Sequence, residues 1–137
     1  MNVRKMFIPV VIATAGLLVS CTPVLDRQVM DMGSREVSFG ALRESPDLYK
    51  GRVFILGGVI VRTKLIEEGS QVEAMHVPVD SYGEFESSGR SEGRFLAFML
   101  KEVMVLDPVV YKKGQRITLA GRFIGTKTGK IDEMTYT

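Results

Sequence analysis

The chain has 137 residues, 45% of them hydrophobic and 25% charged, which is enough for one packed domain and too short for several. A single cysteine and a single histidine exclude both a disulfide framework and a zinc centre built from those ligands. Two of the 18 basic residues, Arg4 and Lys5, lie in the first 20 positions, which hold none of the 16 acidic ones, so the chain from Cys21 onward is electrically neutral and lacks the surplus cationic charge of a nucleic-acid binder.

Arg4 and Lys5 precede "MFIPVVIATAGLLV" (Met6 to Val19), an uncharged run of fourteen residues. A membrane-spanning helix needs about 20 apolar residues, whereas the hydrophobic part of an export signal needs only about 7 to 15. The run therefore reads as an export signal, and Pro9 inside it opposes a long regular helix. Cleavage after "ATA" (Ala13 to Ala15) would leave a hydrophobic part of only Met6 to Ile12, at the bottom of the usable range. "LVSC" (Leu18 to Cys21) fits better and resembles the bacterial lipobox. That resemblance implies cleavage between Ser20 and Cys21, a diacylglyceryl group on the Cys21 thiol and acylation of the new amine. Acyl chains such as palmitate would then give durable attachment, since one chain alone binds a membrane only reversibly. Residues 1–20 are accordingly expected to be a lipoprotein signal peptide.

Residues 21–36 show neither a period of 2 nor one of 3.6 and are expected to be a lipidated tether. Ser38 is placed to cap a short helix over "FGALRE", and "SPD" (Ser45 to Asp47) is placed to end it. The pattern is β from there on. "RVFILGGVIVR" (Arg52 to Arg62) is rich in Val and Ile, and Gly57 and Gly58 at its middle suggest a bend with positive φ. Strands follow at "SQVEAMHVPV" (Ser70 to Val79), "GRFLAFML" (Gly93 to Leu100), "QRITLAGRFIG" (Gln115 to Gly125) and, after "KTG", at "KIDEMTYT". In the fourth of these Ile117, Leu119, Gly121 and Phe123 share one face, and Arg116, Thr118, Ala120 and Arg122 the other. The fold expected for residues 37–137 is mainly β: a small five-stranded OB-like barrel with one short helix.

"SPDLYKGRVFILGGVI" (Ser45 to Ile60), "VPVDSYGEF" (Val77 to Phe85) and "LDPVVYKKGQRITLAGRFIG" (Leu106 to Gly125) resemble, in order, the signature blocks of the Slp family. Its members are starvation-inducible outer-membrane lipoproteins of Gram-negative bacteria. The resemblance implies a periplasm-facing lipoprotein held in the outer membrane by its N-terminal acyl chains. Thr22 after the cysteine agrees, because in enterobacterial-type lipoproteins an aspartate there commonly causes retention at the inner membrane. Members continue past the position of Tyr136 with a further extended segment, so the last strand or its cover is expected to be truncated here.

The family supplies no biochemical activity, so any chemistry must be read from the side chains themselves. His76 has no companion ligand and reads as an ordinary strand residue. Asp80 and Ser81 read as a turn that bonds nearby backbone N–H groups rather than as a nucleophile with its orienter. Glu67, Glu68 and Glu73 lack the pattern of a calcium loop and read as a solvated hairpin end. Tyr111 in "LDPVVY" reads as a structural corner. No metal site and no cofactor is expected, and the glycines of "GRSEGR" match no phosphate cradle.

One pattern asks for a partner. Val53, Ile55, Val59 and Val61 alternate with Phe54, Leu56 and Ile60, and Phe95, Ala97 and Met99 alternate with Leu96, Phe98 and Leu100, so both faces of these strands are apolar. The second face, with Phe54, Leu56, Ile60, Leu96 and Phe98 as its candidate binding residues, is expected to be covered by Phe39 to Leu42 and Leu100 to Leu106, or by an envelope protein or lipid. The preferred function is a non-enzymatic binding or scaffolding module. The alternative is a hydrolase or other enzyme acting on envelope material, which lacks a visible acid, base and nucleophile.

Overall fold

Residues 23–34, 36–131 and 134–136 are described by the computed structural model. In chain order they form α1 (Arg27–Met32), α2 (Phe39–Glu44), a 3-10 turn (Pro46–Leu48), β1 (Val53–Ile66), β2 (Gly69–Val77), β3 (Arg94–Leu100), β4 (Arg116–Arg122), β5 (Gly129–Ile131) and β6 (Met134–Tyr136). The first four strands form one antiparallel sheet in the order β3-β2-β1-β4. It curls into a half-barrel because β1 is long enough to serve two neighbours. Val53 to Val59 pair with β4, and Gly57 to Ile66 pair with β2.

The register defines the two faces. Gly58 lies opposite Ile117, Leu56 opposite Leu119, Ile60 opposite Ala74, Val72 opposite Ala97 and Ala74 opposite Phe95, so these residues share the inner face. Two apolar clusters fill it. Phe39 and Leu42 of α2 pack with Phe54, joined by Tyr49, Leu56 and Phe123, while Ile60, Val72 and Ala74 pack with Leu106, Tyr111 and Ile117. Phe95 belongs to both. The facing of Ile117, Leu119 and Phe123, the capping of α2 by Ser38 and the corner role of Tyr111 match the sequence pattern; the Ser38 hydroxyl accepts from Ala41 N–H at 3.2 Å.

Three expectations are corrected. The fifth strand does not close a barrel: β5 and β6 pair with each other as a separate two-stranded sheet, and among the described residues β3 and β4 remain the edges of the half-barrel. Gly57 and Gly58 are not at positive φ. The ladder irregularity in β1 falls instead between Ile60 and Arg62, where Val61 is surplus to the pairing with Ala74 and Glu73. The glycines are there for close approach. A Cβ on Gly57 would lie 2.6 Å from the Val77 carbonyl oxygen, and one on Gly58 would lie 2.9 Å from the Phe95 ring.

Residues 23–34, expected to be part of a tether, are docked on the domain. Asp26 caps α1 by accepting from Gln28 N–H at 2.9 Å, Met30 is buried, and Ser34 bridges to Phe54 in β1. Gly33 lies so close to Ile55 that no side chain would fit between them. With the turn around Val79 and Phe85, this segment covers the outer face of β1 at Ile55 and Gly57, so both faces of the first half of β1 are buried by the chain itself. Ser20 and Cys21 lie outside the described residues. No helix among the described residues is long and apolar enough to cross a membrane.

Candidate binding groove

The curl brings the end of β1 and β3 near the segment that leaves β4. Ile66, Glu68, Phe98, Met99, Leu100 and Ile124 line a groove of about 320 Å³ there. Its walls are apolar, and Phe98, Leu100 and Ile124 are about half exposed or more. The β1–β2 turn braces the rim, since the Lys101 N–H donates to the Glu68 carbonyl at 3.0 Å. Beyond Leu100, in the connection to β4, Val103, Met104, Val105, Val109 and Val110 are all exposed. Such a surface offers contact area to an apolar group.

The five candidate binding residues are not brought together. Phe54, Leu56 and Ile60 point inward, under α2 and Leu106, and Phe54 and Ile60 are core residues. Leu96 and Phe98 lie on the outer face, opposite Glu73 and Gln71. The register divides the set, because pairing places Phe95 rather than Leu96 on the inner face with Ala74. Of the five, Phe98 lines the groove. Ile124 was missed; its signal was an apolar residue on the same parity as Arg116 and Arg122.

Asp80 Oδ1 accepts from the N–H groups of Tyr82 at 2.8 Å and Glu84 at 3.0 Å, the turn expected from the sequence. Glu73 is not part of a solvated hairpin end. It is 4% exposed and receives Arg62 on Oε2 and Arg94 on Oε1, both at 3.0 Å, because the flanking strands carry those guanidinium groups over it. His76 stacks on Phe39 with ring centroids 4.3 Å apart and planes 8° from parallel, and its Nδ1 has no hydrogen-bond partner among the described residues. Burial pushes its imidazole below the ordinary value of 6.5, while the Glu92 carboxylate pulls the other way. Glu92 also holds α2, accepting from Gly40 N–H at 2.9 Å. No group of three or more candidate metal ligands occurs among the described residues.

The described molecule is thus a small antiparallel β module, curled but open, with an apolar groove at its seam. Sequence comparison gives its family: the chain belongs to the Slp family of outer membrane lipoproteins, whose pattern matches residues 18–137. It is similar to the outer membrane protein Slp of Escherichia coli (strain K12), with 29% identity over 99 residues that make up 72% of this chain and 50% of that protein. It is also similar to an uncharacterized protein of Haemophilus influenzae, with 32% identity over 87 residues, 60% of this chain and 43% of that one. The chain spans about half the length of the curated relatives it matches. No solved structure matches it.

Proposed function

We propose that the protein is a lipid-anchored lipoprotein of the Gram-negative outer membrane whose β module faces the periplasm and binds or scaffolds an envelope protein or lipid without catalysing a reaction. The observation that carries the binding role is the apolar groove at Phe98, Leu100 and Ile124. Membership of an outer membrane lipoprotein family supports the location. The "LVSC" motif supports acylation of Cys21 after removal of residues 1–20, and Thr22 supports sorting outward. The family resemblance supports a role in starvation or stress.

Two measurements in intact cells test the reading. A photo-crosslinking residue at position 98 is expected to capture an envelope protein or lipid, whereas one at Leu48, exposed elsewhere on the surface, is not. Equal capture at both positions would remove the binding role. In parallel, Cys21→Ser should lose incorporation of labelled palmitate and leave the outer-membrane fraction. A variant that is still labelled and still sediments there would disprove the anchor.

A further inference from the structure

The described chain is fastened to its domain almost where it begins. Val24 donates its backbone N–H to the Tyr82 carbonyl at 2.8 Å. The receiving turn is itself braced, through Asp80 Oδ1 as described and through the Thr118 hydroxyl, which donates to the Gly83 carbonyl at 2.8 Å. Gly83 sits directly beneath Val24 and Met30, where an added Cβ would lie 3.4 Å from Val24 Cβ. Only Thr22 and Pro23 separate Val24 from Cys21. Fully extended, three steps of chain reach roughly 11 Å. A flexible tether of the length of residues 21–36 would let a domain wander tens of ångströms from its anchor; this attachment does not.

We propose that the Asp80–Glu84 turn, with Val24 against it, is the face that the protein lays on the phospholipid surface. The inference rests on Cys21 being acylated, as proposed above. The glyceryl group on the Cys21 sulfur would sit at headgroup level, so the short connection fixes Val24 and Tyr82 beside it. Both side chains are about half exposed, at 48% and 46%, and they suit that position. A tyrosine places its ring in the apolar boundary and its hydroxyl in the wet headgroup layer, and a valine adds apolar contact. The Asp80 carboxylate is turned onto its own backbone. Asp26, Arg27 and Glu84 nearby carry mixed charge, so reach and not electrostatic attraction sets the orientation. The β1–β2 turn, by contrast, lies far along β1: Leu65 is eight residues beyond Gly57, the β1 partner of Thr118.

The chain contains no tryptophan, so one introduced indole reports its own position. Full-length acylated Tyr82→Trp and Leu65→Trp proteins would be placed in phosphatidylethanolamine vesicles with brominated acyl chains. The indole at position 82 is expected to lose its emission to the bromines and to shift to shorter wavelength, while the one at 65 keeps its emission. A long flexible Gly/Ser insert between Thr22 and Pro23 should restore emission at 82. Adding anionic lipid should change neither result. Mass spectrometry of the same samples reads the acyl groups. Absence of acyl mass overturns the anchor and this face with it. Acylated protein with unquenched emission at 82, or with equal quenching at 65, overturns the face alone.

Discussion

Gly57 shows what a single hydrogen in place of a methyl group does for this fold. Its backbone pairs with Val77 on one side and Thr118 on the other, in the most crowded part of β1. A side chain there meets the Val77 carbonyl, which belongs to the ladder and has little room to move. Gly57→Val is therefore expected to cost about 1–3 kcal/mol through overpacking, read as a lower urea midpoint of the domain; an unchanged midpoint would show that β2 yields freely. His76 sets a pH dependence. Its imidazole is buried against Phe39 and depressed below 6.5, so the folded state binds a proton less readily than the unfolded chain. Stability from this group is complete above pH 6.5 and declines as pH falls through that value toward the folded-state pKa. His76→Phe keeps a stacked ring and removes the titration. Between pH 7.5 and 5.5 its urea midpoint should fall less than that of the parent, and identical falls would assign the pH dependence elsewhere. Sequence placed both residues in strands but could not say what faces them. A glycine in a β-branched run is the same signal for a bend as for a close approach, and only the packing of Val77, Val79 and Phe95 separates the two.

At the scale of elements, legibility followed periodicity. The helix over "FGALRE" and the four long strands declared themselves, because a capping serine, a proline and alternating or Val/Ile-rich runs are local signals. The bounds moved where pairing extended a strand past its apolar part: β1 runs on to Ile66 through Arg62, Thr63 and Lys64, held by its ladder with β2. α1 was invisible. It has six residues and one buried side chain, Met30, so no periodic stripe exists to be read, and its helicity depends on the Asp26 cap and on docking against β1. The candidate site was only partly legible for a related reason. Phe98 could be found as an apolar residue on an outer face. The groove could not, because it joins Leu100 to Ile124, which approach each other only once the sheet has curled. Glu73 was misread because its partners Arg62 and Arg94 come from two different strands.

For the whole molecule, the half-barrel keeps β3 and β4 as edges among the described residues, and the seam between them is apolar. A bulge raises local twist, so how far the sheet wraps is expected to depend on Val61, the residue that the ladder does not count. Because two residues of β1 stand against one of β2 there, Arg62 faces outward to Glu73 instead of inward among Val72 and Ile117. Removing Val61 would leave Ile60 opposite Ala74 and Arg62 opposite Glu73, so every later side chain would keep its face while the strand lost its local twist. Core and ion pair would both survive while curvature changed. In a Cys21→Ser background with spin labels at positions 98 and 124, deletion of Val61 is expected to lengthen the distance across the groove, and an unchanged distance would place the source of curvature elsewhere in β1. The width of the opening would then be a property that insertion or deletion at one position can tune, without altering a single residue that lines it.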